Sequence, residues 1–305
     1  MTLFDLHAEV EAALNEGRPV VALESTVIAH GLPRPQNLET ARRLEQIVRG
    51  CGAIPATIAV LEGRLQVGLR EDQLQRIAEA EDVHKISRRD LAVAVAHRWN
   101  GATTVAATIW IAHRAGLKVF ATGGIGGVHR GELPDVSADL PELARVPMIV
   151  VCSGAKIVLD LAATREWLET HGITVIGYKC DRMPAFYSRQ SELAVDARVD
   201  EPEDVARIYA AQRELGMESA LIVTVPVPAE AEVPAAILQD ALDEALDEAQ
   251  RKAIGGRDLT PFLLSRMAER SGGATLGANI ALLENNARVA AEIARSINYE
   301  ERFKR

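Results

Sequence analysis

The sequence predicts an α/β fold: a largely parallel, mixed sheet flanked by helices as an α/β/α sandwich, with a helical C-terminal third. Three observations predict it. Short apolar or β-branched runs, RPVVAL (18–23), VFA from Val119, IVVC up to Cys152, ITVIG (173–177) and ALIVTVPVP (220–228), alternate with amphipathic segments of helical period. The stretch PATIAVLEGRLQVGL alternates about Glu62-Gly63 as a β-hairpin does. Beyond residue 232 only helical periodicity remains, over 232–252, 260–270 and 276–297.

Leu6, Val10, Ala13 and Leu14 place a first helix over 5–15, stopped by Gly17. The strand 18–23 delivers Glu24, Ser25 and Thr26 to its end. The following AHGLPRPQN carries Gly31, Pro33 and Pro35, which forbid regular structure, and Asn37 is placed to cap a helix over 38–49. A helix over 71–80 leads to the short strand VHKI, which carries Lys85, and Ser87 is a plausible cap for SRRDLAVAVAHRW. Asn100-Gly101 breaks the pattern before the apolar helix TTVAATIWIAHRAG, which ends at Gly116. Later come helices over 164–171 and 202–215, an irregular YKCDRMPAFYSRQS and a strand in ELAVDARV. With no internal repeat or low-complexity linker, 1–305 reads as a single domain.

Composition excludes some functions. A net charge of -9 argues against a nucleic-acid binder, so an anionic small-molecule substrate needs a local basic pocket. Three cysteines, Cys51, Cys152 and Cys180, form no CxxC pair and sit in or beside apolar or glycine-flanked segments, the pattern of a reduced, cytoplasmic protein. No apolar run reaches membrane-spanning length, and the acidic, amphipathic N-terminus is unlike a secretion signal. A soluble, unprocessed chain without membrane partners is expected.

The chemistry gathers between Val119 and Asp160. In TGGIGGVHR the glycines either bring backbone N–H groups up to an anion or make a tight structural turn, and His129 and Arg130 favour the anion. Asp135 and Asp139, four apart, share one face if a helix begins at Asp135 or Ser137; they either hold a hard divalent ion or serve as a cap and a solvated acid. Lys156 follows an apolar strand in a turn that opens a helix. There the helix dipole and burial both disfavour an ammonium, which suits a nucleophilic amine, with a surface lysine as the alternative. Glu24 is a general acid or the first polar residue outside the core, and Lys85 a phosphate partner or a surface charge. Glu24, Lys85, the glycine turn and Lys156 all follow strands, so one crevice at the strand ends can collect them. Asn279 is a paired amide or a base-reading group on an apolar helix start, and the acids of 232–252 form a solvated face.

With these residues in view, the chain resembles the pseudouridine-5'-phosphate glycosidases, a group that includes proteins of the indigoidine synthase A type. The matching segments are ALESTVIAHGLPRPQN (22–37), VHKISRRDL (83–91), NGATTVAATI (100–109), VFATGGIGGVHRG (119–131), DVSADL (135–140), VVCSGAKIVLDL (150–161), TPFLL (260–264) and the Asn279 helix. The resemblance implies cleavage of pseudouridine 5'-phosphate to uracil and ribose 5-phosphate, with Glu24 as proton donor, Lys156 as the imine-forming amine and Asp139 in proton transfer. It places substrate contacts at Lys85, Val105, Thr122, His129, Ser137, Ala138, Asp139 and Asn279, a Mn²⁺ or Mg²⁺ ion on Asp135, and a homotrimer. One departure is a shorter segment, Glu132 to Pro134, between the glycine turn and Asp135. The residues alone also admit another Schiff-base enzyme, an aldolase, a lyase or a C-glycosidase acting on a different sugar phosphate, or a non-catalytic phosphonucleoside-binding module.

Overall fold

The computed structural model describes residues 3–131 and 135–303; the shortened segment 132–134 lies outside the described residues. The chain begins with strand β1 (Phe4–Leu6) and helix α1 (Ala8–Asn15), then β2 (Val20–Leu23) and α2 (Gln36–Gly50). The hairpin β3 (Ile54–Leu61) and β4 (Arg64–Val67) turns at Glu62 and Gly63, whose φ of 52° and 76° make the two-residue turn that matches strand twist. Next come α3 (Glu71–Glu79), β5 (His84–Ile86), α4 (Leu91–Ala96), β6 (Gly101–Thr103), α5 (Val105–Arg114) and β7 (Val119–Ala121). A two-stranded antiparallel ribbon, β8 (Val128–His129) with β10 (Leu159–Asp160), brackets α6 (Asp139–Leu143) and β9 (Ile149–Cys152). Then follow α7 (Leu161–Thr170), β11 (Thr174–Tyr178), β12 (Ala197–Val199), α8 (Pro202–Glu214) and β13 (Leu221–Thr224). Helices α9 (Ala235–Arg251), α10 (Leu259–Arg270) and α11 (Ala274–Phe303) complete the chain.

The main sheet runs β1-β4-β3-β2-β7-β9-β13-β11-β12, with β6 added beside β3 and β5 beside β6. From β3 to β12 along this order every pairing is parallel. Strands β2, β7, β9 and β13 are buried at every residue, so each reads as a continuous apolar run. The predicted α/β class and helical last third are thus observed. Among the described residues no helix is long and apolar enough to cross a membrane.

Several local readings are corrected. The first helix starts at Ala8, because Phe4–Leu6 pairs with β4 as a strand. Residues 29–31, the start of the stretch read as irregular, belong to a π-helix over Val27–Gly31, a wide turn in which the i→i+5 pattern replaces the usual ladder. Asn37 does not cap α2 but lies inside it, 2% exposed, its amide donating to the carbonyls of Ile28 and Ala78. Only Ala197–Val199 of ELAVDARV is strand. Gly101 heads an unanticipated strand, where a Cβ would come within 2.2 Å of Ile86 Cδ1.

Helix α11 packs across the middle of the sheet against β2, β7 and β9. Its tether is Asn286, fully buried, whose Nδ2 donates to Thr122 O at 2.8 Å and Ser153 Oγ at 3.1 Å. These acceptors stand just past the ends of β7 and β9, where burial leaves no water to replace a lost donor. Asn286→Leu is expected to lower folding stability by on the order of 2–4 kcal/mol, read by urea denaturation, whereas Asn285→Leu at the neighbouring half-buried position costs much less.

Candidate active site

Register decides what meets at the strand ends. Leu23 of β2 lies opposite Ala121 of β7, and Ala121 opposite Val151 of β9. The next residues, Glu24 and Thr122 just past β2 and β7 and Cys152 at the end of β9, therefore stand in one row, with side chains on the same face by the two-residue period. Thr122 Oγ1 donates a short hydrogen bond to Glu24 Oε1. Below this row Ser25 Oγ donates to Ile58 O at 2.6 Å and accepts from Thr103 N at 2.8 Å, fixing the end of β2 to β3 and β6.

A cavity of about 270 Å³ opens beyond this row. Its wall includes Glu24, Lys85, Val105, His129, Asp135, Ser137, Ala138, Asp139, Lys156 and Asn279, so residues spread from 24 to 279 in sequence converge as expected. Thr122 is the exception: it is 1% exposed and stands behind Glu24, supporting the carboxyl rather than facing the cavity. Thr26, His30, Arg89, Thr104, Phe186 and Leu283 also line the space and were not singled out from sequence as site residues. Phe186 adopts φ 61°, a left-handed conformation rare for an aromatic residue, within a segment whose sequence shows only irregularity. The polarity of Thr26 and His30 within ESTVIAHG was the available signal for those two.

The electrostatics are those of a reactive site. Burial raises the Glu24 carboxyl above the usual glutamate range, against the charges of Lys156 and Lys85 and the Thr122 bond, while Asp139 adds to the rise. Burial, followed by the Lys156 charge, lowers Lys85 below the usual lysine range. The two lysines, Glu24 and Asp139 thus sense one another across the cavity. Burial pushes the Cys152 thiol up to about 12, which removes it as a rival nucleophile.

Three expectations are corrected in detail. Lys156 does not open a helix: α7 begins at Leu161, and Lys156 sits in the loop between, its N–H donating to Ile125 O at 3.1 Å. The helix dipole therefore does not act on it. Asp135 and Asp139 do not share a helix face, because α6 begins only at Asp139; Asp135 is exposed in the extended segment before it, and its carbonyl accepts from His129 N at 2.8 Å. Asp139, 6% exposed, accepts from Ala106 N at 3.0 Å and Gly126 N at 2.8 Å, so its carboxylate bridges the first turn of α5 and the glycine turn.

The glycine turn itself is a packing device rather than an anion cradle. Its N–H groups at Ile125, Gly126 and Val128 are taken by Gly154 O, Asp139 Oδ2 and Thr164 Oγ1. A Cβ on Gly126 would lie 2.1 Å from Ser137 Oγ, and one on Gly127 2.3 Å from Thr164 Oγ1. Only glycine lets these segments close on one another. At Gly123 a Cβ would meet Leu282, Leu283 and Asn279 Oδ1, so the same economy admits Asn279 to the site.

The pocket has two characters. Toward α5 it is polar and basic, with Lys85, Ser87, Arg89, Thr104, the α5 first turn at Val105, Ser137 and Ala138. Toward α10 and α11 it is walled by Pro261, Leu264 and Leu283 with His30 and Asn279. A second cavity of about 410 Å³ adjoins there and shares His30, Gly31, Pro261, Leu264 and Asn279.

Comparison with known proteins agrees with this geometry. The family profile described as indigoidine synthase A like protein matches residues 9–296. The pseudouridine-5'-phosphate glycosidase of Caldanaerobacter subterraneus subsp. tengcongensis is 50% identical over 296 residues, covering 96% of each chain. Among solved structures, the prealnumycin C-glycosynthase AlnA in complex with ribulose 5-phosphate superposes with a TM-score of 0.91 at 39% identity, covering 99% of both chains. An indigoidine synthase A-like protein from Thermotoga maritima gives 0.89 at 38% identity over 98% of both.

A carboxyl whose folded pKa exceeds its unfolded value stabilises the fold below the unfolded value and loses that contribution as pH rises through the folded one. Glu24 is such a group, with an unfolded reference of 4.5. Glu24→Gln is therefore expected to gain stability relative to the parent as pH is raised from about 4.5. Denaturant titrations of both proteins across pH check this; a constant difference would show that Glu24 ionises freely in the fold.

Proposed function

The chain belongs to the indigoidine synthase A-like family, among whose members are pseudouridine-5'-phosphate glycosidases, and on that basis we propose that it reversibly cleaves pseudouridine 5'-phosphate to uracil and ribose 5-phosphate through an imine on Lys156. It is an enzyme of the C-glycosidase type. One observation supports the mechanistic part: a buried carboxyl, its pKa raised by burial, lines one cavity with a lysine amine and a carboxylate fixed by backbone N–H groups.

The scissile bond joins carbon to carbon, so protonating a glycosidic heteroatom, as two-carboxylate glycosidases do, is unavailable. The ring oxygen is available instead. Glu24 gives it a proton as the C1'–O4' bond opens, leaving C1' conjugated with the pyrimidine. The Glu24 carboxylate so formed takes a proton from Lys156, whose Nζ adds to C1'. The nitrogen lone pair then forms C1'=N while the C1'–C5 electron pair remains on the base, where C5 is protonated. Water hydrolyses the imine, releasing ribose 5-phosphate and the free amine. Asp139, held by two backbone N–H groups, orients or relays these protons without moving.

The phosphate is assigned to the basic end. The N-terminus of α5 at Val105, the free hydroxyl of Thr104, Lys85 and the Ser137-Ala138 turn offer donors and positive potential, whereas the glycine turn has spent three of its N–H groups internally. Among the described residues no three His, Cys, Asp or Glu side chains gather to hold a metal ion. Asp135 alone lines the cavity as an exposed hard oxygen ligand, which fits a Mn²⁺ or Mg²⁺ ion keeping most of its waters. Such an ion, when bound, supplies positive charge beside the substrate's oxygens. Family likeness further supports a homotrimer, and three free thiols suit a reducing cytoplasm.

Borohydride reduction in the presence of ribose 5-phosphate is expected to add the sugar's mass to Lys156, read by peptide mass spectrometry, and Lys156→Ala to abolish both adduct and uracil release. An adduct on Lys85 instead would move the nucleophile. Glu24→Gln is expected to slow uracil release by about a hundredfold to ten-thousandfold with the fold intact, the usual range for a lost general acid. Release of no uracil by the parent enzyme, beside turnover of another sugar phosphate, would replace the substrate assignment.

A further inference from the structure

Among the described residues, six buried side-chain polar atoms have no hydrogen-bond partner, and three of them, Thr26 Oγ1, His30 Nε2 and Thr104 Oγ1, line the same cavity. Native interiors rarely leave such atoms unmatched, so a concentration around one space marks groups kept for a ligand. Thr104 belongs to the basic end. His30 lies on the π-helix Val27–Gly31, within reach of the Lys85 charge and in the wall shared with the second cavity, to which Pro261, Leu264 and Asn279 also belong.

The ring's chemical state follows from its neighbours. The main chain of His84 and Val83 acts on the imidazole in the sense that favours a ring proton, and Nε2 is the buried ring nitrogen without a partner. Burial first, then the Lys85 charge, lowers its pKa below the usual histidine value, so the ring is neutral near pH 7. A neutral imidazole with one nitrogen donating presents the other as an acceptor. That acceptor is Nε2, the buried atom without a partner.

We propose that His30 recognises the pyrimidine, its Nε2 accepting a hydrogen bond from an N–H of the base; this rests on the substrate reading given above. A phosphate presents only acceptors to such an atom, so it gains nothing there. Uracil alternates N–H donors with carbonyl acceptors around its edge and is otherwise flat and weakly polar. An acceptor nitrogen with the Asn279 amide nearby, between Pro261 and Leu264, matches that combination of edge and face. A sugar hydroxyl is the competing donor, and the experiment separates the two.

Uracil binding is measured by calorimetry on the full chain at saturating ribose 5-phosphate, and ribose 5-phosphate binding is measured alone. His30→Ala is expected to weaken uracil by about tenfold or more while ribose 5-phosphate stays within about twofold, and His30→Gln, which restores a side-chain acceptor, to recover much of the loss. Uracil affinity unchanged in His30→Ala, or equal losses for uracil and sugar phosphate in both variants, overturns the assignment; equal losses would mean a structural role or a sugar contact. Parent enzyme that neither binds nor releases uracil overturns the substrate reading first, and the inference with it. Because that result precedes any substitution, the two failures are distinguishable.

Discussion

A buried carboxyl that shares one cavity with two lysines at the ends of parallel strands is the constraint on which the rest of the architecture depends. Bringing Glu24, Lys85 and Lys156 out of bulk water is unfavourable for their charged forms, and each tolerates it only through the others and through a fixed Asp139. Such an arrangement needs its backbone held to fractions of an ångström. The alignment of β2, β7 and β9 supplies it, since adjacent parallel strands in register present successive residues to one row. The Ser25 and Asn286 bonds then pin the segments leaving that row.

The glycine turn shows how tightly the supports are drawn. Four glycines in TGGIGG look like a phosphate loop when read along the chain, yet the N–H groups of Ile125, Gly126 and Val128 serve protein acceptors and the missing side chains make room for Ser137, Asp139, Thr164 and Phe186. The first turn of α5, with Thr104 and Val105 in the cavity wall, is the donor end left for the proposed phosphate site. One of its N–H groups, at Ala106, is already given to Asp139. Asp139 and the first turn of α5 are therefore tied together, so a shift in either would move the other.

Much of this was legible in sequence, and what was not has identifiable causes. Alternation of apolar runs with helical periods gave the class of fold, and polar residues directly after strands, Glu24 above all, gave the crevice, because strand ends are where an α/β sheet meets ligand. The start of α6 and the loop after Lys156 were misjudged because SGAK and DVSAD carry helix-start residues that tertiary contacts use differently: Ser137 Oγ accepts from Asp139 N, while Ala155 and Lys156 follow the glycine turn as an extended neighbour. The π-helix at Val27–Gly31 leaves no pattern in hydropathy, since its single turn is shorter than any period. His30 was hidden for that reason, though a histidine between two prolines' reach and a buried strand was visible in AHGLPRP.

The net charge of -9 sits oddly with an anionic substrate until distance is considered. At physiological ionic strength charges farther than about 8 Å are largely screened, so the acidic faces of α9 and the outer helices contribute little inside the cavity. Within it Lys85, Lys156 and the α5 N-terminus act at close range, and partial burial weakens the screening of their fields. Burial lowers the pKa of Lys85, so its charge is sensitive to any charge placed beside it. An uncharged group gains little from this field, so its recognition has to come from hydrogen-bond direction and apolar contact, which His30, Asn279, Pro261 and Leu264 offer in the same lining. A lining that combines basic with apolar and neutral polar groups is thus the electrostatic counterpart of the proposed substrate, with one charged and one neutral part.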